Sequence, residues 1–226
     1  MERTTQRSKS STIIIIMVLA CIIMAFVEAI LSPGYALKSV IKLILFLFLP
    51  IIILRKQKTI DILGLIYRKK KLLLPILLGI GVYLFIIAAY YTIGRLFDFS
   101  QVAEAITASS GVGKTEFVWV SLYISLVNSL VEEFFFRGIG FLVLGSLTTR
   151  RFAYLFSAAV FSLYHVAIMS SWFSFSLFLL LLVSLFVAGL LFNWLDEKYK
   201  TILPSWMVHM CANFAINTIG FILFGI

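Results

Sequence analysis

Three short motifs place side chains capable of acid–base chemistry inside otherwise apolar stretches. Glu132 and Glu133 follow fifteen residues without a charge, and Arg137 lies four residues after Glu133. The two histidines of the chain, His165 and His209, also fall within apolar stretches. A carboxylate can take a proton from water, and imidazole N–H groups can stabilise negative charge on an attacked carbonyl oxygen. Hydrolysis is therefore one reaction that these residue types could carry out.

Each histidine has a partner at helical spacing. Phe161 precedes His165 by four residues, and Asn213 follows His209 by four, so each pair lies on one face of a helix. An ionisable group at the centre of a bilayer costs at least about 2.5 to 3.5 kcal/mol on insertion scales, so each requires a physical reason. Counted at about 1.5 Å per residue, Glu132 and His209 lie at similar depth, whereas His165 lies roughly 10 Å deeper. One Glu, two His and one Asn on three helices indicate a convergent polar site.

Taken singly, the same residues have structural interpretations. Glu133 and Arg137, at i and i+4, predict an ion pair that neutralises one carboxylate. Glu132 is rotated from Glu133 by about 100° and points elsewhere, so this pair does not explain its burial. A single buried histidine commonly joins two helices. Three asparagines are interpreted only as interhelical hydrogen-bonding groups: Asn128, Asn193 and Asn217.

The elements that position these residues are predicted to be membrane helices. The chain is 62% hydrophobic and 13% charged, with a mean hydropathy of +1.09. A soluble domain is about half apolar and a quarter charged, so this composition excludes soluble, disordered, collagen-like and coiled-coil classes. Seven apolar runs approach the roughly 20 residues that span a bilayer. They are roughly Thr12 to Leu31, Ala36 to Leu54, Leu72 to Ile93, Phe117 to Gly145, Phe152 to Met169, Trp172 to Leu195 and Leu203 to Phe224.

The expected fold is therefore all-α, a polytopic membrane helix bundle of about seven to eight transmembrane helices. An eighth, shorter helix is expected within the long fourth run or between Phe97 and Thr107. Cys21 and Cys211 both lie inside apolar runs, where neither disulfide nor metal-ligand spacing is present.

Charge predicts the orientation of the bundle. The net charge of +9 comes from 19 basic and 10 acidic residues, and the basic residues collect in short loops between apolar runs. The loop from Arg55 to Lys71 holds seven basic residues against Asp61, and Arg150 and Arg151 follow the fourth run. This bias predicts a multi-pass protein of the cell membrane with a cytoplasmic N-terminus. It also favours the lipid bilayer, and not nucleic acid, as the partner of the positive charge.

The three motifs together resemble a known family. Glu132-Glu133-Phe134-Phe135-Phe136-Arg137-Gly138 resembles the EExxxR motif of the CPBP family, which groups CAAX prenyl endopeptidases with bacteriocin-processing and immunity proteins. Phe161 to His165 matches its FxxxH motif, and His209 to Asn213 matches its HxxxN motif. The resemblance covers roughly Trp119 to Phe224. We accordingly interpret residues 1–116 as three N-terminal transmembrane helices and 117–226 as a catalytic transmembrane core, within one integral membrane domain.

The resemblance implies an intramembrane endopeptidase of the glutamate type, and from the residues we expect no cofactor. Glu132 would be the general base that activates water, with help from His165. His209 and Asn213 would stabilise the oxyanion of the tetrahedral intermediate. The implied supporting residues are Glu133, Arg137 and Phe161. The implied partners are the lipid bilayer and a membrane-associated peptide or protein substrate, such as a prenylated tail, a bacteriocin leader or a pheromone precursor.

Three alternatives remain open from the residues. Two histidines with a glutamate could bind zinc, although HExxH is absent and asparagine is a poor zinc ligand. A non-catalytic bacteriocin immunity or binding protein could use the same fold, but such a protein does not require Glu132 at its insertion cost. A small transporter or proton channel also uses membrane Glu and His residues, and the absence of visible sequence repeats disfavours it.

Overall fold

The computed structural model describes residues 2–66, 70–169 and 172–226. These parts of the chain contain helices and connecting turns and no β-strand, so the predicted all-α class is confirmed. Arg68 and Lys69, which belong to the predicted basic loop, lie outside the described residues.

Nine helices occupy the described parts. They are α1 (Thr5–Leu31), α2 (Tyr35–Lys56), α3 (Ile62–Ile66), α4 (Leu73–Leu96), α5 (Val102–Ser110), α6 (residues 114–147), α7 (Arg150–Met169), α8 (Phe175–Tyr199) and α9 (Leu203–Phe224). The bounds given for α1 are those of its candidate membrane span, and the helix itself begins at Glu2.

Six of these helices, in the described residues, are long and apolar enough to cross a membrane: α1, α2, α4, α7, α8 and α9. The chain is therefore a multi-pass membrane protein. The prediction of seven spans is corrected at the fourth run. This run is helical throughout, as α6, but it is not among the six helices that are apolar enough to cross a membrane. Three charged residues near its middle lower its apolar character: Glu132, Glu133 and Arg137. The short extra helix is α5, which overlaps the predicted segment from Phe97 to Thr107.

Local backbone chemistry ends the helices. Ser32 adopts the left-handed region with φ of 40°, its N–H donates to the Val27 carbonyl at 2.9 Å, and Pro33 follows. A left-handed residue followed by proline cannot continue a helix, which separates α1 from α2. At the other end of a helix, Thr149 caps the N-terminus of α7, since its hydroxyl oxygen accepts from the Phe152 N–H at 3.3 Å.

Helix α6 lies at the centre of the packing. Its residues Glu133–Val143 form wide π-helical turns, a distortion found often at functional sites. Phe135 stacks on Phe46 of α2 with ring centroids 4.1 Å apart, and Phe136 contacts Phe161 of α7 edge to face at 5.3 Å. These buried rings pack α6 against α2 and α7. The packing directs the face of α6 that carries Glu132 toward the neighbouring helices.

Candidate active site

Glu132, on α6, lies where α2, α7 and α9 meet that helix. It is only 2% exposed, and its Oε2 is 3.7 Å from Nε2 of His209 and 4.0 Å from Nε2 of His165. Distances slightly beyond hydrogen-bond length between polar atoms are those that a single bridging water can span. The structure thus brings together the three ionisable side chains that the sequence placed on separate helices. The residue count predicted His165 roughly 10 Å deeper than Glu132, whereas the structure brings the two side chains within 4.0 Å. A residue count along one helix includes neither its tilt nor its offset from the next helix.

The other oxygen of Glu132 has different partners. Lys42 of α2 donates to Oε1 at 2.5 Å, and the Asn128 amide donates to the same oxygen at 3.0 Å. The Asn128 carbonyl oxygen in turn accepts from Lys42 at 2.7 Å. The two oxygens of one carboxylate therefore face opposite sides, one toward a cation and an amide, the other toward two imidazoles.

Sequence reasoning missed Lys42 and assigned Asn128 only to interhelical bonding. Lys42 lies inside the predicted second span, where an ammonium has an insertion cost similar to that of the glutamates. This cost could have identified Lys42 as a candidate functional residue. Asn128 does join α6 to α2 through Lys42, and it also contacts the candidate base directly.

Glu133 supports the histidine of α9. Its Oε1 lies 2.7 Å from Nδ1 of His209, and its Oε2 lies 3.4 Å from Nε of Arg137. An ionised carboxylate only accepts hydrogen bonds, so the Nδ1 of His209 carries a proton and Nε2 faces Glu132. The predicted ion pair between Glu133 and Arg137 is present in the structure, with His209 as an additional partner of Glu133.

The Arg137 guanidinium is completely buried between two aromatic rings. It lies 3.9 Å from the ring centroid of Phe161 and 4.9 Å from that of Phe192. Gly189 of α8 allows close packing beside it, since a Cβ there would stand only 3.0 Å from Cα and Cβ of Ala158 on α7. The Phe161 carbonyl also accepts from Nδ1 of His165 at 2.8 Å, which orients that imidazole. Phe161 therefore contacts both the arginine and the histidine of the site.

Asn213 lies one turn beyond His209 on α9, and its amide donates to the Ile124 carbonyl of α6 at 3.2 Å. Its predicted role toward an oxyanion stays a prediction. The amides of Asn193 and Asn217 make interhelical bonds, to the Tyr154 carbonyl and to the Ser121 carbonyl, both at 3.0 Å.

The donor set does not fit a metal ion well. Within the described parts of the chain, no group of three or more His, Cys, Asp or Glu side chains is placed to hold one. The Lys42 ammonium already forms an ion pair with Oε1 of Glu132. A metal cation bound to the same carboxylate would be repelled by this ammonium. Cys21 and Cys211 are free thiols on separate helices.

Comparison with known proteins agrees with the three motifs. Residues 114–215 match the family model described as type II CAAX prenyl endopeptidase Rce1-like, and this segment contains every motif residue. The UPF0177 protein YxdF of Lactococcus lactis subsp. lactis is 23% identical over 137 residues, which are 59% of this chain and 70% of that relative. No solved structure matches the chain. The family resemblance predicted from the sequence is confirmed by the family-model match.

Proposed function

We propose that this chain, similar over residues 114–215 to the type II CAAX prenyl endopeptidases, is an intramembrane endopeptidase of membrane-associated peptides or proteins. One observation carries the proposal. Oε2 of a nearly buried glutamate lies within 4.0 Å of Nε2 of two histidines from two other membrane helices. A carboxylate and an imidazole at this spacing can hold and deprotonate one water molecule.

The proposed first step is the activation of water. Nδ1 of His165 donates to a backbone carbonyl, so Nε2 of the neutral ring is a hydrogen-bond acceptor. A water molecule donates one hydrogen to Oε2 of Glu132 and the other to this Nε2. Glu132 takes a proton as the water oxygen attacks the scissile carbonyl carbon, and Glu132 then returns that proton to the departing amine. The protons balance over the two steps, and no metal takes part.

The proposed second element is the stabilisation of the oxyanion. Because Nδ1 of His209 donates to Glu133, its Nε2 carries a hydrogen only when the ring is an imidazolium. With both nitrogens protonated, His209 would donate Nδ1–H to Glu133 and Nε2–H to the oxyanion. The Asn213 amide, one turn further along α9, is the proposed second donor. Each such donor in a dry site is worth about 10²- to 10³-fold in turnover.

We also propose that the bundle lies in the cell membrane with its N-terminus in the cytoplasm. The basic loops predicted from the sequence support this orientation, because positive residues remain on the cytoplasmic side. The CAAX prenyl class named for the matched family supports a prenylated tail as the first substrate to examine.

The test uses the full-length chain in liposomes with a fluorescence-quenched farnesylated peptide that ends in a CAAX sequence. Glu132→Gln keeps the side-chain shape and removes the base, so we expect cleavage to disappear while the protein still enters the membrane. Asn213→Ala should lower kcat by about 10²- to 10³-fold with little change in KM.

The matched control is Glu28→Gln. Glu28 is also an ion-paired carboxylate of an apolar helix, bonded to Lys38 at 2.7 Å, but it does not contact the site. Its replacement should leave cleavage unchanged. Wild-type turnover in the Glu132→Gln variant would refute the assignment of the base. A wild-type chain that binds the peptide without cutting it would instead support a non-catalytic binding protein.

A further inference from the structure

We infer that Lys42, on the second helix, is a positioning residue of the active site. Its ammonium holds one oxygen of Glu132 and thereby leaves the other oxygen as the atom that receives the proton of water. The inference rests on the proposed role of Glu132 as the base.

The geometry is specific to one carboxylate oxygen. Nζ of Lys42 lies 2.5 Å from Oε1 of Glu132 and 2.7 Å from Oδ1 of Asn128, and the Asn128 amide bonds the same Oε1 at 3.0 Å. These three groups form a closed set of hydrogen bonds between α2 and α6. Rotation of the carboxylate would break two of them, so Oε2 stays directed at the two imidazoles.

Two aromatic rings also face the ammonium. Nζ lies 5.0 Å from the ring centroid of Tyr164 and 5.7 Å from that of Phe46. Both rings present π-electron density to the cation, which partly replaces the water that it lost on burial. Burial of a lysine in a membrane helix has a large cost in insertion free energy. The ammonium of Lys42 contacts the carboxylate that the proposed reaction requires in its ionised form.

The charge of Lys42 has a direct chemical consequence. A carboxylate must be ionised to accept a proton from water, and burial in a low dielectric disfavours that form. In the described part of the chain, the ionisable groups within contact distance of the Glu132 carboxylate are Lys42 from α2, His165 from α7 and His209 from α9, with Glu133 adjacent on α6. Further ionisable groups act on Glu132 electrostatically: Cys21 from α1, Tyr35 from α2, Tyr164 from α7 and Arg137 from α6. Lys42 is the permanent cation that bonds the carboxylate, whereas Arg137 pairs with Glu133. We conclude that Lys42 keeps Glu132 ionised and ready as a base.

Lys38 provides a matched comparison within the same helix. It lies one turn before Lys42, it is similarly buried (6% exposed against 7%), and it pairs with Glu28 at 2.7 Å. Its Nζ also donates to the Ser109 carbonyl at 3.0 Å. Replacement of either lysine by methionine therefore removes one buried ammonium and leaves one glutamate without its cation, but only Lys42 contacts the site.

The kinetic test compares Lys42→Met, Lys42→Arg and Lys38→Met with the farnesylated quenched peptide in liposomes. Lys42→Met should lower kcat by at least about 10²-fold, the contribution of a general base, with KM changed less than about threefold. Lys42→Arg keeps a cation and should recover part of the rate, whereas Lys38→Met should stay near the wild-type rate. Equal losses in Lys38→Met and Lys42→Met would overturn the inference, since both would then reflect general destabilisation.

A spectroscopic test needs no substrate. The chain is labelled with ¹³C-glutamate, and the infrared difference between each variant and its Glu132→Gln counterpart isolates the signal of Glu132 at neutral pH. We expect an ionised carboxylate band in the wild type, in Lys38→Met and in Lys42→Arg, and a protonated carbonyl band in Lys42→Met. If Lys42→Met does not accumulate in the membrane, Lys42→Gln, which can still bond Asn128, replaces it.

The two arms separate the two proposals. A carboxylate band that persists in Lys42→Met refutes the role of Lys42, whatever the peptide assay shows. A wild-type chain that cleaves nothing, but whose Glu132 becomes protonated in Lys42→Met, refutes the proposed peptidase activity on this peptide and supports the electrostatic role of Lys42.

Discussion

Replacement of Arg137 by methionine should destabilise the fold by several kcal/mol without removing the base. Methionine keeps much of the volume and removes the charge. In the structure the guanidinium is 0% exposed, it lies 3.4 Å from Oε2 of Glu133, and it is held between Phe161 and Phe192. The change therefore leaves Glu133 buried without its arginine and leaves two ring faces without a cation.

The magnitude follows from these contacts. Breaking a buried ion pair by removing one partner costs about 3 to 5 kcal/mol. Glu133 keeps the His209 hydrogen bond at 2.7 Å, which favours the lower end of that range. Loss of a desolvated cation–π contact adds about 2 kcal/mol, and the new sulfur–aromatic contact returns about 1 kcal/mol. The expected loss is therefore about 4 kcal/mol, a large part of the 5 to 15 kcal/mol typical of folded proteins.

The assay is reversible unfolding of the purified chain in mixed micelles, followed by tryptophan fluorescence. Glu133→Gln combined with Arg137→Met removes both charges and should recover about half of the loss, because no unpaired buried charge remains. Arg151→Met removes an exposed arginine and should change the free energy of unfolding by less than about 0.5 kcal/mol.

Two results would refute the reasoning. If Arg137→Met unfolds with the wild-type free energy, the buried pair does not stabilise the fold. If the double variant is no more stable than Arg137→Met alone, the loss comes from packing around the rings and not from an unpaired Glu133.

Two further predictions concern metal and orientation. Turnover should survive exhaustive chelation, and purified protein should hold well under one zinc per chain; stoichiometric zinc that is lost together with activity in His209→Ala would contradict the metal-free mechanism. In a background in which Cys21 and Cys211 are replaced by alanine, a cysteine at Ser8 should react with an impermeant maleimide only after cells are permeabilised, and one at Ser100 should react in intact cells. Labelling of the Ser8 position in intact cells would reverse the proposed topology.

Local sequence spacing predicted a substantial part of the site. The ion pair between Glu133 and Arg137 follows from i, i+4 geometry within one helix, and no tertiary information is needed to place it. The pairing of Phe161 with His165 follows in the same way, because a four-residue offset sets both on one face. The apolar runs likewise determined the helical class. A spanning segment must satisfy its backbone hydrogen bonds within a helix or a closed barrel, and continuous apolar runs of about 20 residues fit helices, whereas barrel strands are about 9 to 11 residues long.

Contacts between helices required the tertiary structure. Lys42 and Glu132 are ninety residues apart, and no periodicity relates a position on α2 to one on α6. The contact between Nδ1 of His209 and Glu133 also joins distant parts of the chain and could not be predicted from spacing. This contact places a hydrogen on Nδ1 and thereby determines whether Nε2 accepts or donates a hydrogen bond. Periodicity determines which residues share a face of one helix, whereas the tilt and rotation of each helix in the packed bundle decide which faces meet. Glu132, His165 and His209 could therefore be chosen from the sequence, but only the packing places a lysine on one oxygen of Glu132 and two histidines beside the other.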